Sequence, residues 1–281
     1  MSPWLKQNNT AVITGGASGI GLAAAARFLS AGMNVLIADR DDDALKAAEQ
    51  DLRGSETGAL LTQRCDVSVA DDVTALAETA HQQFGTVHCL MNNAGTGFPP
   101  AKPWEALEQW KRQLDVNLWG IVHGCQAFVP AMLSHGERAV VINTGSKQGI
   151  TNPPGNYAYN LSKAGVRAYT ESLAHALREE SQSLVTAHLL VPGFTFTGMI
   201  KRFIAEQPPG AWTPEQVVDF MLESLARGDF YVLCPDNETP RALDEKRMLW
   251  NTLDIVENRS ALSRWDPAFK DAYERFVTDE T

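Results

Sequence analysis

Cysteine is scarce in this chain, and the few cysteines stand far apart. The 281 residues include four of them, Cys65, Cys89, Cys125 and Cys234, with no CxxC pair. Neither a disulfide framework nor a zinc site with paired cysteines fits this spacing. The six histidines also lack an HExxH pattern or any other metal-ligand spacing. We therefore expect reduced thiols, as in a cytosolic protein, and no catalytic metal.

Basic residues are also fewer than acidic ones. Lysine and arginine total 24 against 34 acidic residues, which gives a net charge of −10. Because nucleic-acid backbones are bound by basic surfaces, this balance argues against nucleic acid as a partner. No run of about 18 apolar residues is present, and Met1–Lys6 lacks the apolar core of a signal peptide. We expect a cytoplasmic protein with no membrane span.

Short apolar runs alternate with longer amphipathic stretches along most of the chain. The apolar runs predict strands at 11–14, 34–39, 59–65, 87–92, 139–144, 186–191 and 230–234. The stretches between them predict helices at 22–31, 42–52, 69–84, 104–133 and 157–180, the fourth loosened near Gly120. Strands that are apolar throughout and alternate with helices are typical of a parallel sheet covered on both faces.

This alternation predicts an α/β fold, a doubly wound parallel sheet with helices on both faces and ligands at the carboxyl ends of its strands. No internal repeat, low-complexity stretch or linker interrupts the pattern, so we expect a single domain over residues 1–281. Its core would cover 10–235. A lid segment at 194–212 and a C-terminal extension at 236–281 are expected as additions to that core.

A glycine-rich turn, Thr14–Gly21, follows the first strand and opens the first helix. Gly15 permits a tight turn, and Gly19 lets the backbone approach a pyrophosphate, whose charge would meet the unpaired N–H groups of the helix N-terminus. The other members of the turn expected at this dinucleotide site are Ser18, Ile20 and Gly21. The alternative is a flexible turn with incidental glycines.

Asp39 ends the second strand and Arg40 follows it. A carboxylate at this place accepts hydrogen bonds from the adenosine ribose and repels a 2′-phosphate, which favours NAD. Asp39 could instead merely cap the next turn, and Arg40 could meet a 2′-phosphate, which keeps NADP open as the less favoured cofactor. Asp66 and Val67, after the third strand, would lie beside the adenine. The residues after the fourth strand that would close over the cofactor are Asn93, Ala94 and Gly95.

Tyr159 and Lys163 lie one turn apart on the same face of the last long helix. An ammonium beside a phenol favours the phenolate, so this tyrosine can exchange a proton near neutral pH. Ser146 precedes the pair in the chain, and Thr144 is a competing hydroxyl two residues earlier. A dinucleotide site together with an activated tyrosine predicts an oxidoreductase that moves a hydride and a proton.

In these motifs the chain resembles the short-chain dehydrogenase/reductase family, in its single-domain branch. The resemblance covers 10–235 and rests on Thr14–Gly21, Asn92–Gly95, Asn117, Ser146, Tyr159-x-x-x-Lys163 and Pro192-Gly193-x-x-x-Thr197. It implies a Rossmann-like fold with seven parallel strands, assembled as a homodimer or homotetramer.

The resemblance also implies a role for each matching residue. Tyr159 would be the general acid/base, and Lys163 would hold the nicotinamide ribose and lower the tyrosine pKa. Ser146 would donate a hydrogen bond to the substrate oxygen, and Asn117 would help to hold a water that links Lys163 to solvent. The residues expected at the nicotinamide end are Pro192, Gly193, Thr195 and Thr197, the last on the carboxamide or the pyrophosphate.

The substrate would enter between the segments that follow strands five and six. Candidate wall residues there are Gln148, Gly149, Ile150, Pro153 and Asn156. An apolar lid, suited to a bulky or aromatic substrate, could be formed by Phe194, Met199, Phe203 and Trp212. These apolar side chains could instead be buried against the body of the protein or a neighbouring subunit.

The C-terminal extension carries too much apolar surface to be a solvated tail. Its large apolar residues are Trp250, Leu253, Ile255, Val256, Leu262, Trp265 and Phe269, with a helical pattern at 268–276. Such a tail resembles those of dehydrogenases that act on bulky secondary alcohols, including the benzylic-alcohol dehydrogenases of lignin-dimer breakdown.

The favoured function is thus an NAD-dependent dehydrogenase that interconverts a bulky secondary alcohol, aromatic ones included, and its ketone. An NADPH-dependent carbonyl or 3-ketoacyl-type reductase is the alternative, which Arg40 keeps open. A dinucleotide sensor without turnover is disfavoured, because Tyr159 and Lys163 are both present.

Overall fold

The computed structural model describes residues 3–54, 57–180, 183–201, 204 and 206–279, without the side chains of Met199 and Lys201. Seven parallel strands form one sheet in the order β3-β2-β1-β4-β5-β6-β7. The strands are β1 (Thr10–Thr14), β2 (Asn34–Asp39), β3 (Leu60–Arg64), β4 (Cys89–Asn92), β5 (Ala139–Thr144), β6 (Val185–Val191) and β7 (Tyr231–Leu233). The predicted Rossmann-like, doubly wound fold is confirmed.

Helices cover both faces of the sheet. They are α1 (Gly19–Ser30), α2 (Asp42–Leu52), α3 (Ala70–Phe84), α4 (Leu107–Leu114), α5 (Gly120–Ser134), α6 (Gln148–Thr151), α7 (Tyr157–Glu179), α8 (Gly198–Lys201), α9 (Pro214–Arg227), α10 (Arg241–Val256) and α11 (Lys270–Thr278). The helix predicted at 104–133 begins at Leu107, because Ala106 has a left-handed φ of 56° that a helix cannot include. A π-helical turn at Asp115–Trp119 divides it just before Gly120, where the loosening was expected.

Alternation along the strands builds a core on each face of the sheet. In β1, Ala11 and Ile13 belong to the core beneath α1, α2 and α9, whereas Val12 belongs to the core beneath α3, α5 and α7. The strand order reverses between β1 and β4. Connections leave the sheet in opposite directions at such a point, so a crevice opens at the carboxyl ends of the strands.

One helical run, Leu107–Ser134, is long and apolar enough to cross a membrane by length and composition. Its inner face carries Phe128 and Met132, which are buried in the core beneath the sheet. The core helix of a globular domain passes the same test of length and composition.

The C-terminal extension folds onto the same chain. Trp250 of α10 is buried, and its ring lies 5.4 Å from that of Tyr273 and 5.1 Å from that of Phe276 in α11. The helical pattern predicted at 268–276 is largely correct, whereas α10 was not predicted. Packing is less complete than expected, because Ile255 and Val256 are exposed by 82% and 72%.

Candidate active site

A cleft of about 590 Å³ lies at the carboxyl ends of the strands, on both sides of the β1–β4 junction. The sequence-predicted residues that line it are Gly15, Ser18, Gly19, Ile20, Asp39, Arg40, Asp66, Val67, Asn93, Ala94, Gly95, Ser146, Gln148, Asn156, Tyr159, Lys163, Pro192, Gly193, Phe194, Thr195 and Thr197. The predicted residues that do not line it are Gly21, Asn117, Gly149, Ile150, Pro153 and Trp212, and the side chain of Met199 lies outside the described residues.

The glycine-rich turn is held against the loop that follows β4. Asn93 Nδ2 donates to the carbonyls of Thr14 and Gly15 at 3.2 and 3.1 Å, and Thr14 Oγ1 accepts from the amides of Asn93 and Ala94. Gly15 has a φ of 62°, and an added Cβ would lie 2.7 Å from Ala94 Cα. Gly21 serves this packing rather than lining the cleft, because a Cβ there would lie 2.3 Å from the Gly15 carbonyl oxygen.

The N-terminus of α1 is open toward the cleft. Ser18, at the N-cap, makes no side-chain hydrogen bond to the first turn, and that turn contains no acidic residue. Helix N-termini with unpaired N–H groups favour phosphate. Gly19 has a φ of 55°, and an added Cβ would lie 3.2 Å from Thr197 Cγ2, so glycine leaves the approach to this terminus clear. The open N-terminus of α1 therefore fits the pyrophosphate of a dinucleotide.

Asp39 is half-buried at the end of β2, and Arg40 beside it is exposed. Asp39 Oδ1 accepts a 3.3 Å hydrogen bond from the amide of Asp41, which orients the carboxylate at this end of the cleft. Both functions considered for Asp39 are thus compatible, since one oxygen caps the turn while the residue still lines the cleft.

Ser146, Tyr159 and Lys163 meet at the other end of the cleft. The Tyr159 hydroxyl hydrogen-bonds to Ser146. Lys163 is buried, and its Nζ donates to the Thr144 carbonyl at 2.7 Å while lying 5.8 Å from the centre of the Tyr159 ring. The three side chains required for proton transfer to or from a bound alcohol oxygen are therefore assembled.

The charge states of the pair differ from the sequence-based expectation. Burial raises the pKa of Tyr159, and the hydrogen bond with Ser146 counteracts this only in part. Burial also lowers the pKa of Lys163 from 10.5 to about 8. The lysine ammonium is directed to the Thr144 carbonyl, so the protein alone does not produce the lowered tyrosine pKa that the spacing predicted.

The structure decides between the two candidate hydroxyls. Thr144 Oγ1 lies 3.4 Å from Asn93 Oδ1, and the Thr144 carbonyl binds Lys163. Ser146 instead contacts Tyr159 and accepts a hydrogen bond from the amide of Gln148. Ser146, rather than Thr144, is therefore the hydroxyl placed beside Tyr159.

Asn117 is fully buried in the π-helical turn, away from the cleft. Its Oδ1 accepts from the Thr96 amide at 2.7 Å, and its Nδ2 donates to the Thr96 carbonyl and to Ser162 Oγ. Both amide hydrogens are thus used within the protein. The side chain therefore positions the loop after β4, and the expected part of Asn117 in holding a water stays a prediction.

The substrate end of the cleft differs from the predicted wall. Of the two predicted lid residues whose side chains the structure describes, Phe194 lines the cleft and Trp212 does not. The Trp212 ring lies 5.8 Å from Phe220, and its Nε1 donates to Asn237 Oδ1. Phe203 lies outside the described residues. Lining residues that the sequence analysis missed include Thr96, Gly97, Phe98, Val116, Lys147 and Ile200. Adjacency in the chain to Gly95 and Ser146 was the signal available for Thr96 and Lys147.

No group of three histidine, cysteine, aspartate or glutamate side chains that could hold a metal ion occurs in the described part of the chain. All four cysteines are buried and free. Cys65 lines the cleft, but burial raises the pKa of its thiol to about 12, so it is not a nucleophile near neutral pH.

Comparisons with known proteins agree with this geometry. The family model described as short chain dehydrogenase matches residues 9–208. A 1-deoxy-11-beta-hydroxypentalenate dehydrogenase of Streptomyces exfoliatus is 36% identical over 89% of this chain and 91% of its own. A 3beta-hydroxysteroid dehydrogenase of Eggerthella lenta is 36% identical over 68% of this chain and 72% of its own. The crystal structure of a short chain dehydrogenase/reductase from Burkholderia phymatum in complex with NAD is 33% identical, with a TM-score of 0.82 over 92% of this chain and 98% of that one.

Proposed function

This chain belongs to the short-chain dehydrogenase family and is an oxidoreductase that acts on hydroxyl groups with NAD or NADP, and we propose that it interconverts a bulky secondary alcohol and its ketone, using NAD. The observation that carries the proposal is the assembly of Ser146, Tyr159 and Lys163 at one end of a cleft whose other end carries Asp39. Alcohol chemistry and dinucleotide selection are thereby combined in one continuous site.

In the proposed reaction, the bound nicotinamide supplies the hydride acceptor or donor. Tyr159 removes the proton from the alcohol oxygen during oxidation and returns it during reduction. Ser146 donates a hydrogen bond to that oxygen while its charge changes. Lys163, which is held by the Thr144 carbonyl, places a positive charge beside the tyrosine and near the position expected for the nicotinamide ribose.

The substrate class is inferred from the lining and from the relatives. Phe98, Val116, Phe194 and Ile200 give the cleft apolar surface beside the reacting side chains. A pocket lined in this way favours a bulky apolar skeleton over a small polar one. The names of the two relatives, a hydroxypentalenate and a hydroxysteroid dehydrogenase, support a bulky hydroxylated substrate.

NAD is proposed as the cofactor because of Asp39. A carboxylate at this end of the cleft binds ribose hydroxyls and repels a 2′-phosphate. The related structure in complex with NAD supports the same choice. A homodimer or homotetramer, expected from the resemblance, is proposed with it, as is the cytoplasmic location expected from the composition of the chain.

Turnover of bulky secondary alcohols tests the proposal directly. We expect the wild type to reduce NAD in the presence of a 3β-hydroxysteroid or an aryl secondary alcohol. Tyr159→Phe should lower kcat by about 10²-fold or more, since it removes the acid/base group, while NADH affinity changes little. Tyr231→Phe, which alters an exposed tyrosine, should retain activity.

Fluorescence titration with NADH and NADPH tests the cofactor. NADH should bind at least tenfold more tightly, about 1.4 kcal/mol. Tighter NADPH binding would overturn the NAD proposal and favour a carbonyl reductase in which Arg40 meets the 2′-phosphate. Unchanged turnover in Tyr159→Phe would overturn the assignment of the acid/base group.

A further inference from the structure

A buried ion-pair cluster lies directly beside the reacting residues. Lys147 follows Ser146 in the chain, and its Nζ lies 3.2 Å from Asp236 Oδ2 and 2.5 Å from Asp244 Oδ2. The three side chains are only 15%, 8% and 4% exposed. Both carboxylates come from the C-terminal extension, which the sequence analysis had treated only as an apolar cover.

Asp236 also contacts the opposite wall of the cleft. Its Oδ2 accepts a 3.3 Å hydrogen bond from the amide of Phe194, in the segment after β6. A Cβ added to Gly193 would lie 2.7 Å from Asp236 Oδ2 and 2.9 Å from Lys147 Nζ, so the backbone there passes directly over the ion pair. One carboxylate therefore joins the two segments between which the reacting atoms would lie.

A second contact joins the C-terminal extension to the segment that carries Ser146 and Lys147. Asn251 Nδ2, in α10, donates to the Ile150 carbonyl of α6 at 3.2 Å. Since α6 begins two residues after Ser146, α10 contacts this segment at both Lys147 and Ile150. The two contacts lie at opposite ends of the segment and restrict both its position and its orientation.

The cluster sets one ammonium against two carboxyl groups. Burial works to raise the pKa of Asp236, but Lys147, the Phe194 amide and Thr239 hold it below its usual value. Burial raises the pKa of Asp244 despite the opposing effect of Lys147. Because two carboxylates already surround the Lys147 ammonium, it is poorly suited to bind an anionic substrate group. Removing Lys147 would leave two buried carboxylates without their cationic partner.

We infer that Lys147 is a positioning residue, which together with Asp236 and Asp244 fixes Ser146 relative to the Gly193–Phe194 backbone. The C-terminal extension then sets the geometry of the reacting end of its own cleft. The kinetic consequence rests on the proposed function. The mechanical consequence, restricted motion of two segments 47 residues apart in the chain (146 to 193), does not.

Hydrogen exchange measures the mechanical consequence without turnover. In Lys147→Met, amide exchange in 146–151 and 193–198 should accelerate at least tenfold, while exchange in α2 and α3 stays unchanged. Lys147→Arg, which keeps the charge, should restore most of the protection. Lys111→Met is the matched control, because it removes a lysine that pairs with Glu108 on the exposed surface of α4.

Steady-state kinetics with the secondary alcohol measure the kinetic consequence. Lys147→Met should lower kcat at least tenfold with less than a threefold change in the NADH dissociation constant, and Lys147→Arg should recover kcat. Asp236→Ala, which removes the link between Lys147 and the Phe194 amide, should reproduce both effects if Lys147→Met does not fold. Unchanged exchange in the two segments, or acceleration spread evenly over the chain, would overturn the inference. An inactive wild type would count against the proposed function alone, because the exchange result stands independently.

Discussion

At the scale of the residue, the reacting end combines two buried groups whose ionisation is disfavoured. Burial raises the pKa of Tyr159 and lowers that of Lys163 to about 8, so burial disfavours the charged form of each, although Lys163 stays mostly protonated near pH 7. Groups perturbed in this way are typical of functional sites, where stability is lost in exchange for reactivity. A positively charged nicotinamide would favour the phenolate, which links proton release by Tyr159 to cofactor binding.

Lys163→Met tests whether burial of the charged lysine lowers the stability of the folded protein. A fall in the lysine pKa from 10.5 to about 8 means that the charged form destabilises the folded state by on the order of 3 kcal/mol. Below pH 8 Lys163 is protonated in both the folded and the unfolded state, and the folded state is destabilised by the full amount. Between about pH 8 and 10.5 the folded state has lost its proton while the unfolded state keeps it, so wild-type stability rises with pH.

The variant should therefore unfold at an equal or higher temperature than the wild type near pH 7, and this advantage should shrink toward pH 9.5. Thermal unfolding of both proteins at the two pH values measures the difference. Lys46→Met, at an exposed position of α2, should show no such trend. An advantage that does not change with pH would contradict the lowered pKa. NADH affinity should fall in Lys163→Met only.

At the scale of the element, the π-helical turn between α4 and α5 shapes the cofactor cleft. The turn contains Asn117, whose amide forms two hydrogen bonds with the backbone of Thr96. Thr96 lines the cleft next to Gly95, where an added Cβ would lie 3.6 Å from Asn117 Oδ1 and 3.8 Å from Lys163 Nζ. π-helical turns inside α-helices occur frequently at functional sites.

Asn117→Ala should destabilise the protein and weaken cofactor binding together. The Thr96 amide would lose its partner, at a cost of about 1–3 kcal/mol, although the Thr96 carbonyl keeps a hydrogen bond from Gln113. Urea unfolding and NADH titration measure the two effects, and we expect NADH affinity to fall several-fold. Gln82→Ala, at an exposed position of α3, is the control. Normal NADH affinity in a destabilised Asn117→Ala would refute the link to the cleft.

At the scale of the whole molecule, the C-terminal extension is part of the catalytic architecture rather than an appended cover. Trp250 is central to it: its Nε1 donates to Ser263 Oγ at 2.8 Å, and the Arg259 guanidinium lies 4.1 Å from its ring. The same helix carries Asp244 and Asn251, which contact the wall of the cleft. Loss of packing at Trp250 should therefore be transmitted to the reacting end.

Trp250→Ala should cost about 3–5 kcal/mol, the range for removing a buried tryptophan. It should also lower kcat, because α10 would no longer hold the segment 146–151. Chemical unfolding and steady-state kinetics give the two readings. Trp104→Ala removes a tryptophan that is 78% exposed, so it should change the free energy of unfolding and kcat only slightly. Full activity in Trp250→Ala would show that the extension does not position the cleft.

The sequence alone determined the strands, the fold class and most of the cleft. All seven strands lie within two residues of their predicted bounds, because apolar runs and turn residues are local signals. The glycine turn, Asp39, and the Ser146, Tyr159 and Lys163 set were also predicted, since their spacing relative to those strands carries the chemistry. The helix α10 escaped prediction because its charged and apolar residues do not follow a simple amphipathic pattern.

Only the tertiary structure decided which side chains meet across long separations. Lys147 and Asp236 are 89 residues apart, and no local pattern relates them. The same holds for Trp212, which packs on Phe220 and Asn237 instead of covering the cleft, and for Asn117, whose side-chain amide binds Thr96. Local periodicity reports which face of an element is buried, but the partner on that face is set by how the elements pack together.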